Sequence, residues 1–316
     1  MNIKNLCFPT RAHLELTSRC NFKCLTCKHG YTEYGEDLND TICDELIANV
    51  IPNLKEIELQ GTGEALLSKN FPKIFHAAAL NQQCRIVLIT NGALLTEELI
   101  EKIVLANMQL VVSLDGPDAF TFAQHRPVGN FMTVIRKMKR IQELRLKHGN
   151  PKFSFVVNMV VTKLNYQKIP AMIDLLSSIG IDYLFASEVR ECMPNKRMWN
   201  KFRLDDIEER AKFDFLIESF AAKAKEGGLS FRFNPLLRNE TIKKKICVSP
   251  WQHVFVSANG DISICCEINQ SFGNIKKNSF SEIWNGELLN NFRNKMLLGE
   301  YDNRCLHCCL PWGITF

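Results

Sequence analysis

An α/β fold built on a parallel sheet, with a smaller module after it, follows from three features of this 316-residue sequence. Strand-like and helix-like segments alternate up to residue 190. Chemically unusual residues follow one strand after another. The alternation then stops beyond residue 200, and residues 247–316 gather six cysteines in 70 positions.

Strands are predicted at 12–17, 56–60, 85–90, 110–114, 152–161 and 182–185. Helices are predicted between them at 41–51, 71–80, 96–105, 131–147 and 167–178. In the first helix Ile42, Cys43, Leu46, Ile47 and Val50 recur at helical spacing, with Thr41 able to cap its start. Six strands with intervening helices imply a parallel sheet, either barrel-like or doubly wound. The working surface of such a sheet is the C-terminal edge of its strands. Residues 20–27, 61–64, 91–92 and 115–116 follow successive strands and are expected to converge there. Residues 204–225 read as a charged helix closed by Gly227-Gly228, and Asn259-Gly260 signals a hairpin. The expected organisation is therefore 1–200, a helical connection over 201–245, and a second module over 246–316.

Composition is ordinary for a well-cored protein, with 46% hydrophobic and 23% charged residues. The start of the chain lacks a long apolar stretch and no run is long enough to span a membrane, so the expected location is the cytoplasm. The net charge of +5 is modest. Its densest cluster, Arg136, Lys137, Lys139 and Arg140, is interleaved with Val134, Ile135, Met138 and Ile141, the pattern of a helix with one solvated face. Nucleic-acid binding is not expected. Thirteen cysteines in a reducing compartment point instead to metal, redox chemistry or burial.

Three of those cysteines, Cys20, Cys24 and Cys27, share one short loop after the first strand. A curled loop aims three sulfurs at one object. Structural zinc normally takes four protein ligands. A cubane iron–sulfur cluster held by three thiolates keeps one iron open for a substrate or cofactor. A buried cysteine cluster or half a zinc site is the alternative, with Cys7 or Cys43 as a fourth thiol.

The C-x3-C-x2-C spacing resembles that of the radical S-adenosylmethionine (SAM) enzymes, in which SAM chelates the open iron. Gln60-Gly61-Thr62-Gly63-Glu64 resembles the family's motif that receives the SAM amino group. Thr90-Asn91-Gly92 resembles the turn after the third strand, and Ser113 to Pro117, with Asp115, the ribose-contacting segment. Arg126 resembles an arginine that reaches the SAM carboxylate. The chain departs from the family at Thr26, where an aromatic is common, and at Ala65, where a proline is. The resemblance covers most of residues 10–190 and implies a partial (β/α)6 barrel. It also implies a [4Fe-4S] cluster on Cys20, Cys24 and Cys27, and SAM bound by Gln60, Gly61, Thr62, Gly63, Glu64, Asn91, Ser113, Asp115 and Arg126.

Cys247-Val-Ser-Pro-Trp, Cys265, Ile283-Trp284-Asn285 and Cys305-Leu-His-Cys308 resemble the SPASM and twitch auxiliary-cluster modules, which hold a β-hairpin and helix. Only Cys309 follows Cys308, so twitch, with one auxiliary [4Fe-4S] cluster on Cys247, Cys265, Cys305 and Cys308, fits better. Spacing alone would also allow a zinc knuckle, and would allow Cys266 in place of Cys265. In the resembling sulfatase-maturing enzymes the residue after the matching ligand is a carboxylate base. Cys266 stands there and is the candidate catalytic residue, a thiol able to return a hydrogen atom to a substrate radical. Cys192 is a second candidate. His125 and His307 are expected to be structural, and Glu188, Arg190 and Arg232 are candidate substrate contacts.

The resemblance implies a radical SAM oxidoreductase or epimerase that makes a 5′-deoxyadenosyl radical and takes a hydrogen atom from its substrate. Reductant would come from a donor such as flavodoxin or ferredoxin. Only 19 residues precede Cys20, short of a leader-peptide-binding domain, which favours a polar small molecule, sugar or aminocyclitol in type, over a peptide. Peptide or protein modification is the alternative substrate reading. A cluster-bearing or zinc-bearing binding protein without turnover is the alternative of a different class.

Overall fold

The computed structural model describes residues 8–27, 35–189, 196–204, 207–234, 247–268 and 270–306. Its ten strands are β1 (Arg11–Leu14), β2 (Glu56–Leu59), β3 (Arg85–Thr90), β4 (Met108–Ser113), β5 (Phe153–Val161), β6 (Tyr183–Glu188), β7 (Ser230–Asn234), β8 (His253–Val256), β9 (Asp261–Ser263) and β10 (Gly273–Asn274). They form one mixed sheet in the order β10-β9-β8-β1-β2-β3-β4-β5-β6-β7. β1 pairs in parallel with β2 and β8, and β4 to β7 pair in parallel in sequence. β8 with β9, and β9 with β10, are antiparallel. The α/β class, the parallel core and the C-terminal hairpin with helices are as expected.

By compactness the chain divides into two units: the described parts of 1–19, 35–87 and 237–316, and those of 20–34 and 88–236. In the first, Ala12, Leu14, Ile57, Leu59, Val254 and Val256 bury one face of three parallel strands. The helix Asp40–Glu45 runs into a π-helical turn, Leu46–Val50. Its cap is Asn39, whose side chain accepts from Ile42 N at 2.9 Å, not Thr41. Gly260 turns the β8–β9 hairpin at φ +90°, a conformation that glycine adopts without steric cost. Arg293 is buried, donating to Pro250 O and Trp284 O, each at 2.8 Å, with its guanidinium 4.5 Å from the Trp284 ring centre. It thereby ties the helices Phe280–Trp284 and Glu287–Leu297 to the segment just after Cys247.

In the second unit the long helix Phe131–His148 buries Val134, Ile135, Met138, Ile141 and Leu144, the stripe its sequence predicted. Asn130 caps it, accepting from Thr133 N at 2.9 Å. Two of the elements that were not anticipated bear on the surroundings of the site. One is the helix Ala119–His125, capped by Asp118, which accepts from Thr121 N at 2.8 Å. The other is β7: the alternation does not stop at residue 200, because Ile207–Glu226 is followed by a further parallel strand on β6. β7 is short and mostly half-exposed, so it lacks the apolar run that marks a central strand. β6 also runs on to Glu188, three residues beyond its predicted end.

Candidate active site

In the second unit the loop bearing Cys20, Cys24 and Cys27 is held by its backbone. Leu25 N donates to His125 O at 2.8 Å, Cys27 N to Cys24 O at 3.2 Å, and Phe22 N to Cys20 Sγ at 3.4 Å. Burial first pushes the Cys24 thiol up to about 12; nearby Arg126 opposes this, while Asp115, Cys27 and Cys20 add to it. The three sulfurs therefore share one electrostatic neighbourhood, and binding to iron would replace the proton that burial favours.

Arg126 is buried and donates from Nε to Asp115 Oδ2 at 2.8 Å. Asp115 is fully buried, and its Oδ1 accepts from Val160 N at 2.8 Å. The charges of Asp115, Cys24 and Cys27 raise the Arg126 pKa against its desolvation. Asn91 is buried, donating to Asn21 Oδ1 of the cysteine loop at 2.8 Å and accepting from Ala93 N at 2.9 Å. Ser113 ends β4 opposite Asn158 of β5, whose buried Oδ1 has no hydrogen-bond partner among the described residues.

In the first unit the stretch after β2 is pinned by Glu15. Its Oε1 accepts from both Thr62 N and Thr62 Oγ1 at 2.7 Å, and its Oε2 from Ala258 N at 3.1 Å. Gln60 donates to Glu58 Oε1. Glu64 is buried, and its N donates to Arg19 O at 2.8 Å. A Cβ on Gly63 would fall 2.3 Å from Thr17 O, so only glycine fits this close backbone approach. Gly61 is similarly crowded by the Glu15 side chain.

The first unit also holds a cavity of ≈ 160 Å³ lined by Arg11, His13, Glu58, Gln60, His253, Cys265 and Cys266, among others. Burial, then the charge of Glu56, raises Glu58 to about 7. Burial, then His253, lowers His13 to about 3, and its Nε2 is buried without a partner among the described residues. His253 Nδ1 lies 2.8 Å from Ile264 O, which acts as acceptor and leaves Nε2 as the ring's own acceptor. Burial raises Cys265, and the charge of Cys247 adds to this, so these two thiols are neighbours. Cys266 is exposed as a residue, yet its sulfur has enough protein around it to push the thiol up to about 12, with Glu267, Cys265 and Glu58 contributing.

Cys305 is half-buried on the short helix Asn303–Leu306. Cys308, His307, Cys192, Arg190 and Cys7 lie outside the described residues. Cys43 is fully buried in its helix. His125 is structural, as expected: fully buried, with Nε2 2.8 Å from Thr162 Oγ1 and Nδ1 3.0 Å from Thr121 O. Glu188 pairs with Arg210 at 2.7 Å, and Arg232 is exposed on β7. Sequence reasoning missed Glu15, His13, Glu58, His253 and Asn158. The available signal was a polar residue at an alternate position of an otherwise apolar strand.

Among the described residues no group of three or more His, Cys, Asp or Glu side chains converges on a single metal ion. A four-iron cubane is larger than one ion and holds its thiolates farther apart. In the second unit the shared field of Cys20, Cys24 and Cys27 and an Asn158 Oδ1 without a partner among the described residues fit a cluster and a polar cofactor. No described helix is long and apolar enough to cross a membrane.

Comparison with known proteins shows the family and the fold. A relative from Pyrococcus furiosus, the "Tungsten-containing aldehyde ferredoxin oxidoreductase cofactor-modifying protein", is 27% identical over 89% of this chain and 82% of its own length. An "AdoMet-dependent heme synthase" from Methanosarcina barkeri is also 27% identical, over 93% of this chain and 89% of its own. Among solved structures, Streptococcus suis SuiB bound to S-adenosylmethionine superposes with a TM-score of 0.70 at 18% identity, covering 91% of this chain and 68% of that one. Native anSMEcpe with bound AdoMet superposes with a TM-score of 0.67 at 18% identity, covering 90% of this chain and 82% of that one. The SPASM iron–sulfur cluster-binding domain family matches residues 247–309 and, with the superfamily that matches the residues before it, gives SAM, a SAM-binding [4Fe-4S] cluster and an auxiliary cluster as the cofactors. The Radical SAM superfamily model matches residues 14–176, more than half of the chain, and the chain belongs to that superfamily.

Proposed function

We propose that this enzyme oxidises a polar small molecule, sugar or aminocyclitol in type, by removing a hydrogen atom from carbon. When bound, SAM and its cluster supply the 5′-deoxyadenosyl radical that such a removal requires. Cys20, Cys24 and Cys27 hold that cluster. Gln60 to Glu64 receive the SAM amino group, Asn91 and Ser113 orient the nucleoside, and Arg126 takes the carboxylate. Asp115 positions Arg126. Cys247, Cys265, Cys305 and Cys308 hold one auxiliary cluster over the domain 246–316.

The observation that carries the small-molecule reading is the ≈ 160 Å³ cavity of the first unit. Neutral imidazoles and Glu58 line it, a wall rich in acceptors suited to hydroxyls or an amine. Cys265 lies on the same wall, and the auxiliary cluster it would hold could accept an electron from the substrate radical, which favours oxidation. The name of the heme synthase relative supports a substrate that is not a peptide. The peptide alternative draws on anSMEcpe, solved with its Cp18Cys peptide, a likeness of fold alone. A second outcome, epimerisation, is favoured by the presence of Cys266 on the cavity wall.

The test is turnover of sugar, aminocyclitol and peptide panels by the reconstituted enzyme in deuterated water. Oxidation removes two hydrogens from a small molecule and leaves Cys266→Ala active. An isobaric product that gains solvent deuterium, and is lost in Cys266→Ala, means epimerisation. Turnover confined to peptides overturns the substrate class.

A further inference from the structure

The helices Glu97–Leu105 and Phe131–His148 frame an open groove of ≈ 870 Å³ in the second unit. Its walls include Met132, Arg136, Lys137, Lys139 and Arg140, against the carboxylates Glu97 and Glu143. Arg140 pairs with both carboxylates. Arg136 and Lys139 are exposed, and Lys137 donates to Ala93 O. Burial and the charge of Arg136 lower the Lys137 pKa, as expected where cations crowd. Positive charge is thus left over after the ion pairs are made. Next to it the surface is apolar: Met132 is 66% and Val128 60% exposed. The surplus positive charge suits an acidic protein partner, with Met132 available for an apolar contact.

The Asn130 end of the groove adjoins a turn that packs on the cysteine loop. A Cβ on Gly129 would fall 2.6 Å from the Phe22 ring, and Phe22 sits between Cys20 and Cys24. The Phe22 and Phe122 rings meet edge-on at 6.5 Å, and Phe122 meets Phe131, the first residue of the groove helix, at 5.8 Å. Leu25 is hydrogen-bonded to His125, and Arg126 lies in the field of Cys24 and Cys27. The turn 126–130 therefore has one side on the cysteine loop, while Val128 within it faces solvent.

We propose that this groove docks an acidic one-electron carrier protein that reduces the cluster on Cys20, Cys24 and Cys27. The inference rests on that cluster assignment. One electron leaves the reduced carrier and enters the cluster; no bond forms or breaks. Electron tunnelling decays steeply with distance, so a carrier must sit where little protein separates it from the cluster. Basic residues on the rim also raise the encounter rate with an acidic partner.

The experiment uses the reconstituted enzyme with flavodoxin, and the variant Arg136→Glu/Lys139→Glu beside a control, Lys276→Glu/Lys277→Glu, with the same charge change on an exposed site of the other unit. Two quantities are read: the Kd for oxidised flavodoxin by calorimetry, and 5′-deoxyadenosine formed with flavodoxin or with dithionite. The expected result is a Kd raised at least tenfold and a flavodoxin-driven rate lowered at least tenfold in the groove variant only, with its dithionite-driven rate unchanged. The wild-type Kd should weaken as salt rises, and the variant's much less. An unchanged Kd in the groove variant, or an equal loss in the control, overturns the docking proposal. If Arg136→Glu/Lys139→Glu folds poorly, Arg136→Gln/Lys139→Gln is read by the same Kd. Failure of wild-type enzyme to cleave SAM with dithionite would instead sink the cluster assignment.

Discussion

Arg126 Nε donates to Asp115 Oδ2 at 2.8 Å, with the Asp115 side chain wholly enclosed and that of Arg126 9% exposed. Because Asp115 also accepts from Val160 N, it fastens Arg126 to β5. Removing it leaves a buried cation and a buried amide without their acceptor. Asp115→Ala is expected to lose about 3–5 kcal/mol of stability. Urea unfolding of the reconstituted protein checks this, and a loss near zero would show that the pair is not a structural tie.

The assignment of Cys24 has a sharper consequence. Cys24→Ala leaves two thiols on the loop and should lose about one four-iron cluster per chain. SAM cleavage to 5′-deoxyadenosine with dithionite should fall to background. The auxiliary cluster, on other cysteines, should persist in the iron analysis. Normal 5′-deoxyadenosine yield from this variant would refute the ligand set.

The cavity residues predict a pH dependence with two limbs. Glu58 is raised from 4.5 to about 7, so the folded state holds its proton more tightly than the unfolded chain. Its contribution is full below 4.5 and is lost as pH rises towards about 7. His13 is lowered from 6.5 to about 3, so its contribution is present above 6.5 and lost as pH falls towards 3. Glu58→Gln should flatten the alkaline limb, with Tm at pH 8 relative to pH 5 improved by roughly 2–4 °C. His13→Gln should flatten the acid limb and leave the alkaline one alone. Differential scanning calorimetry across pH 4–8 reads both, and unchanged limbs would mean that neither group is desolvated as described.

How much of this was legible before any coordinates differs from residue to residue. The Cys20, Cys24 and Cys27 spacing is local: eight positions, one loop, and a resemblance to one family's motif. The helix 131–148 was legible because Val134, Ile135, Met138, Ile141 and Leu144 repeat at helical period. β7 was not, since a half-exposed strand carries little hydrophobic signal and takes its identity from pairing with β6.

From the order of its residues alone, this chain declared an alternating α/β fold, a three-thiol loop and a second cysteine-rich module, because period and spacing are properties of neighbours along the backbone. Only the folded arrangement brought His13, Glu58 and His253 to one cavity wall with Cys265, placed Asp115 on Arg126, and set the turn that leads into the basic helix against the cysteine loop. Those relations join residues far apart in the chain, and burial, which sets their charge states, exists only once the strands have paired.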